Sequence, residues 1–127
     1  MQVKAITPRG YCKGVVRAIE MAKKARDEKM PIVILGMIVH NQYIVDALKE
    51  MGIETIDHPG KTRLELLDEI EEGTVIITAH GASDQVFEKA RRKGLHVIDA
   101  SCLDVIKTHN VIKTRLREGF EVLYFGK

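Results

Sequence analysis

The sequence has 127 residues, 45% of them hydrophobic and 30% charged, with 20 Lys+Arg against 18 Asp+Glu and a formal charge of +2. That size and mixture describe one globular domain and exclude a disordered chain. The small, dispersed charge is no nucleic-acid footprint, no apolar run reaches the length of a membrane span, and two cysteines make no disulfide scaffold.

The elements alternate along the chain. Val3–Ile6 reads as a short buried strand. A helix is expected over Val15 to Lys29, with Val15, Ala18, Ile19, Ala22 and Ala25 on one face and Pro31 as its stop. The β-branched run Ile32–Gly36 reads as the second strand. Asn41 can cap a helix whose apolar face is Ile44, Val45, Leu48 and Met51 and which Gly52 stops. Ile53–Ile56 alternates like a half-buried strand, and His58–Lys61 is a turn. Thr62 opens a third helix, with Leu64, Leu67 and Ile70 inward and Gly73 at its end. Val75–Thr78 is the most apolar strand; Ser83 caps a helix through Arg92; His96–Asp99 is a strand. A fifth helix runs from about Leu103 to Arg117, and Val122–Phe125 is a last strand. Strands alternating with helices over short links imply an α/β fold with a mostly parallel sheet flanked by helices.

In such sheets ligands bind beyond the carboxyl ends of the strands, where the loops converge. Cys12 follows the first strand, His40 the second, His80 the fourth and Cys102 the fifth. Thiolates and imidazoles gathered at one edge suit a transition metal or an iron–sulfur site. Each also has a plainer reading, a buried thiol or a histidine bonded to a backbone carbonyl. Cys12 stands out because it lies between Gly10 and Gly14 just before a helix, whose N-terminus favours negative charge. Cys102 precedes a helix too, behind Asp99 and Ser101. His80 lies in a His-Gly step before Ser83, a setting that suits phosphate. His58 is expected to be exposed in its turn, His96 to be structural at the opposite edge, and His109 to serve packing or the surface. The sequence has no GxGxxG, no GxxxxGK followed by Ser or Thr, no CxxC and no GxSxG.

Four ordered segments resemble one family. PRGYCKGVVRAIEMA, VHNQYIVDALKEMG, TAHGAS and VIDASCLDVIKTH are similar to the PRGFCxGVxRAI, VHN, AHG(V/I)S and DATCPxVxKxH motifs of the 4-hydroxy-3-methylbut-2-enyl diphosphate reductases, the LytB/IspH family. Leu103 replaces the family's Pro, Ser101 its Thr, and Met37 a charged residue common before VHN.

The resemblance implies one lobe of a three-lobed α/β reductase plus the start of the second. The first lobe would be residues 1–101 and the second would begin over 102–127. The first strand resembles one that pairs within the family's last lobe, which leaves its edges to another chain, to a rearrangement or uncovered. Dimerisation through an exposed edge is one option. The implied activity is an oxidoreductase of isoprenoid precursor synthesis that removes the hydroxyl of an allylic diphosphate, giving isopentenyl and dimethylallyl diphosphate. The implied cofactor is a 4Fe-4S cluster with Cys12 and Cys102 as two ligands. The implied diphosphate contacts are His40 and His80, with Asn41, Gly81 and Ser83 as neighbours. Ferredoxin or flavodoxin would donate electrons, in the cytoplasm, without nucleic acid or membrane. The family's third cluster cysteine and its proton-delivering glutamate have no counterpart in 1–127, so no catalytic residue is assigned and the chain alone is expected to be inactive. The competing expectation is a flavodoxin-like, non-catalytic module that binds a phosphorylated ligand or a protein partner. That reading requires Cys12 and Cys102 to be buried and far apart.

Overall fold

The computed structural model describes residues 1–4, 10–26 and 31–125. Its elements are α1 (Lys13–Ala25), β1 (Ile32–Leu35), α2 (Gln42–Glu50), β2 (Ile53–Ile56), α3 (Arg63–Leu66) with a following 3-10 turn (Leu67–Glu69), β3 (Thr74–Ile77), α4 (Asp84–Arg92), β4 (His96–Asp99) and α5 (Leu103–Arg117). The four strands form one parallel sheet in the order β2-β1-β3-β4. The α/β expectation holds.

The sheet separates two apolar layers because successive strand residues point to opposite faces. Ile32 and Ile34 of β1 and Ile76 of β3 join Ala18, Ala22 and Ala25 of α1 and Leu48 of α2. Leu35 of β1 and Val75 and Ile77 of β3 join Leu66, Leu67, Val86 and Ala90 under α3 and α4. Each fully buried Ile or Leu in these layers stabilises the fold by about 1.5–3 kcal/mol. All four residues of β3 are buried, as a central parallel strand covered on both faces requires. Lys89 of α4 and its C-cap residue Lys93 donate to the Leu64 and Leu67 carbonyls at 2.6 Å each, tying α4 to α3 and the 3-10 turn.

Beyond shifts of one or two residues at element ends, the structure differs from the sequence expectation in three elements. The third helix is a single α-turn followed by the 3-10 turn, and Ile70 is already extended at φ −104° and ψ 112°. Its capping box is complete: Thr62 caps Glu65 N–H, and the Glu65 carboxylate accepts from Thr62 N–H at 2.7 Å. Residues 120–125 form no strand. VLYF has strand propensity, but propensity acts through neighbours, and no strand lies alongside it among the described residues. Leu123, Tyr124 and Phe125 are exposed instead. At the other end Val3 and Lys4 are not in a strand, and the rest of that expected strand, Ala5 and Ile6, lies outside the described residues. The stretch after Arg26 in the expected first helix also lies outside them.

No residue of α5 is buried, although it is the longest helix described. Val105 and His109 on one side of it lie against Gly81 in the turn after β3, and Lys113 binds both carboxylate oxygens of Asp84 at 2.7 Å. Among the described residues no helix is long and apolar enough to cross a membrane.

Candidate cofactor and substrate site

Parallel strands deliver all their carboxyl ends to one edge. The loops after β1, β3 and β4 carry His40, His80 and Cys102 there, and the N-terminus of α1 brings Cys12. The two cysteines are free thiols, and each is the N-cap residue of a helix, Cys12 of α1 and Cys102 of α5. Neither side chain makes a capping hydrogen bond, so both sulfurs are left to other partners.

Cys12 and Cys102 line one cleft of about 440 Å3 together with Lys13, Gly14, Arg17, Leu103, Asp104 and Lys107. Cys12 is exposed and Cys102 half-buried. Three cationic side chains against one carboxylate give this cleft a positive character that suits an anionic occupant.

The Cys102 loop is rigidly tied. Cys102 N–H donates to the Ala79 carbonyl at 2.9 Å, and Ala100 N–H donates to that of Ile77 at 3.0 Å. Asp99 Oδ1 accepts from both the N–H and the hydroxyl of Ser101. The serine therefore keeps the hydroxyl that the family's threonine would bring. Leu103 is the first residue of α5, where proline is welcome but not needed, and the helix forms without it.

His80 is exposed in the turn after β3, and Gly81 N–H closes that turn on the Thr78 carbonyl at 3.0 Å. Gly81 has φ +73°, a conformation other residues rarely adopt. It also lies against α5, since a Cβ there would sit 3.1 Å from Val105 Cγ1 and 3.4 Å from His109 Cε1. His80 lines a second cleft of about 550 Å3 with Asp104, Val105, Thr108, His109, Ile112 and Tyr124. Asp104 lines both clefts, so the thiol cleft and the His80 cleft adjoin along the first turn of α5.

His40 is exposed and lines neither cleft. Its neighbour Asn41 caps α2, accepting from Tyr43 N–H at 3.1 Å, and donates through Nδ2 to Tyr11 Oη at 2.9 Å. The loop of His40 is thus tied to the residue beside Cys12. The structure therefore brings Cys12 to Cys102 and sets His80 in the adjoining cleft. It links His40 through a neighbour only.

The other histidines divide. His58 is exposed and lies 3.2 Å from Glu69, and His96 Nδ1 lies 3.4 Å from Thr74 Oγ1 at the far edge, both as expected. His109 is exposed, in line with the surface reading, and it also lines the His80 cleft. The helical period carried that signal, since 105, 109 and 112 share one face of α5.

Sequence reasoning missed Arg63. Its guanidinium is half-buried and donates to the Gly81 carbonyl and, at 3.1 Å, to Thr78 Oγ1. Burial pushes its pKa down from the ordinary value, while Asp57 pushes it back up. Arg63 thus braces the His80–Gly81 turn from below as α5 packs on it from above.

Among the described residues no three His, Cys, Asp or Glu side chains are grouped to hold a metal ion. Two thiols on one cleft are a partial ligand set: they fit an iron–sulfur cluster that takes its remaining ligands elsewhere. A larger cleft, about 580 Å3, runs along the α4–β4 edge past Phe87, Arg91 and Leu95 and holds none of the four candidates.

A family model described as LytB protein matches residues 3–127. A 4-hydroxy-3-methylbut-2-enyl diphosphate reductase of Geobacillus sp. (strain WCH70) is 55% identical over 130 residues, covering 100% of this chain and 41% of that protein. One of the same name from Brevibacillus brevis is 53% identical with the same coverage. The chain spans about two fifths of the length of these curated relatives. Among solved structures, the E-1-hydroxy-2-methyl-but-2-enyl-4-diphosphate reductase from Plasmodium falciparum matches with a TM-score of 0.76 and 36% identity, covering 90% of this chain and 34% of that one. A structure of (E)-4-hydroxy-3-methyl-but-2-enyl diphosphate reductase, described as the terminal enzyme of the non-mevalonate pathway, matches with a TM-score of 0.78 and 35% identity, covering 93% and 40%.

Proposed function

We propose, from the premise that this chain belongs to the LytB protein family, that it forms the cluster-holding and diphosphate-contacting portion of a reductase of isoprenoid synthesis. The substrate is 4-hydroxy-3-methylbut-2-enyl diphosphate, and the products are isopentenyl and dimethylallyl diphosphate. One observation carries the reading: two cysteines far apart in sequence, both with uncommitted sulfurs, line one positive cleft.

In this reading Cys12 and Cys102 supply two thiolate ligands of a 4Fe-4S cluster. When bound, the group would supply one-electron transfer and Lewis acidity. The chain's own residues bind and orient. His80, backed by Arg63, presents an imidazole donor to the diphosphate, and His40 does so from the loop that Asn41 anchors. Lys13, Arg17 and Lys107 offset negative charge at the thiol cleft. Gly81, which makes room for Val105 and His109 of α5, sets the turn that carries His80. A ferredoxin or flavodoxin supplies the electrons, in the cytoplasm.

The division into a first lobe, 1–101, and the start of a second, 102–127, belongs to the same proposal. It is supported by α5, which has no buried residue, and by the exposed Leu103, Val111, Leu116, Phe120 and Leu123 beyond the sheet. The non-catalytic, flavodoxin-like reading is disfavoured, because it needs buried and separated thiols while Cys12 is exposed and shares a cleft with Cys102.

The test is turnover by the protein as it occurs in its cell, purified anaerobically and supplied with a reduced dye. Formation of the two diphosphate products, lost in Cys12→Ser and in Cys102→Ser, supports the proposal. Equal turnover in wild type and both variants overturns it.

A further inference from the structure

We infer that Gly14 and Arg17 are positioning residues for the Cys102 thiol, so that α1 carries one cysteine at its N-cap and also sets the place of the other. The inference rests on the reading of the two cysteines as a joint ligand set.

Gly14 lies in the first turn of α1 and is buried. It is not among the glycines with positive φ, so its backbone conformation is open to any residue. A helix interior favours alanine over glycine, and local propensity therefore argues against the residue found here. Space argues for it. A Cβ at Gly14 would lie 2.8 Å from Cys102 Sγ and 2.9 Å from Cys102 Cβ, closer than atoms can pack.

Cys102 cannot yield by moving its backbone. Its N–H is held by Ala79, and the preceding Ser101 is 3% exposed and doubly bonded to Asp99. From the other side Arg17, one turn beyond Gly14, donates through Nη1 to the Ser101 carbonyl at 2.9 Å. Helix α1 is itself seated on the sheet by Ala18 and Ala22, both fully buried. A methyl group at position 14 therefore has two outlets. It can rotate the Cys102 thiol out of the cleft, or it can lift the α1 N-terminus and carry Cys12 away. Either outcome separates the sulfurs.

The experiment reads the thiol pair itself. Dibromobimane becomes strongly fluorescent only after both of its arms have alkylated thiols, so fluorescence reports bridging of Cys12 to Cys102 in reduced, chelator-treated protein. Wild type is expected to bridge. Gly14→Ala is expected to bridge about tenfold more slowly, the scale of an overpacked contact, while single alkylation of Cys12 by iodoacetamide keeps its wild-type rate. Arg17→Met is expected to slow bridging less, and Arg17→Lys to restore it, because a lysine can still donate to the Ser101 carbonyl. Wild-type bridging rates in a folded Gly14→Ala protein overturn the inference. Should Gly14→Ala fail to fold by circular dichroism, the Arg17 pair decides: equal rates in Arg17→Met, Arg17→Lys and wild type overturn it. Bridging needs no cluster, so a protein that bridges as described but never takes up iron would refute the cofactor reading and leave the positioning role standing.

Discussion

Asn41 Nδ2 donates to Tyr11 Oη at 2.9 Å, and this bond joins the residue after His40 to the residue before Cys12. Two loops that follow different parts of the chain are thereby held at one sheet edge by a single exposed contact. Asn41 also caps α2 through Oδ1, so its two ends serve two purposes. Substitution can separate them. Asn41→Ala is expected to cost about 0.5–2 kcal/mol, the worth of an N-cap. Tyr11→Phe removes only the tie and is expected to cost under about 1 kcal/mol. Urea unfolding midpoints of the two variants check the order, and a larger loss in Tyr11→Phe would contradict it.

Arg63 braces the His80–Gly81 turn through two hydrogen bonds from a half-buried guanidinium. Arg63→Met leaves the Gly81 carbonyl and the Thr78 hydroxyl without that donor and is expected to cost about 1.5–3 kcal/mol. Arg63→Lys should recover only part of the loss, because an ammonium does not reproduce the planar fork. Chemical denaturation measures both. Pyrophosphate binding should weaken in parallel if the turn presents His80 to a diphosphate.

The exposed carboxylates set the response to acid. Thr62 holds the Glu65 carboxyl below its ordinary range through its backbone and side-chain bonds; Lys89 does so for Asp68, Lys61 for Glu69 and Lys113 for Asp84. A lowered pKa means the ionised form favours the fold, so the contribution is complete above the ordinary carboxylate range of about 4 and disappears as pH falls through the lowered values. Lys61 has the opposite sign: Glu69 raises its pKa above 10.5, so its contribution is complete below that value and is lost as pH rises through the raised one. The thermal midpoint is therefore expected to fall below about pH 4. The slope should be shallower in Asp84→Asn and weaker in high salt, since all four carboxylates are exposed to solvent screening. An Asp84→Asn profile that superimposes on wild type would contradict this assignment.

Much of this was legible in the residues. Ile32–Gly36 reads as an apolar, β-branched strand and Val75–Thr78 as the most apolar one, and the structure buries these strands on both faces, as a parallel sheet without polar alternation requires. Placing Cys102 and His80 at one edge needed only the rule that parallel strands share their carboxyl ends. Other features depend on neighbours that a sequence does not display. Val122–Phe125 has the composition of a strand and no strand beside it among the described residues. Arg63 looks like a surface cation on a short amphipathic helix, and its burial arises only when the turn after β3 closes over it. Gly14 was visible as a small residue near Cys12; that its missing side chain makes room for Cys102 is a fact of packing alone.

The pairing of Cys12 with Cys102 as ligands is the central claim, and visible absorption of anaerobically prepared protein tests it most directly. Wild type should show the broad charge-transfer band of thiolate-bound iron and contain acid-labile sulfide. Both should fall sharply in Cys12→Ser and equally in Cys102→Ser, with the fold intact by circular dichroism. A band of wild-type intensity in either variant would contradict the account.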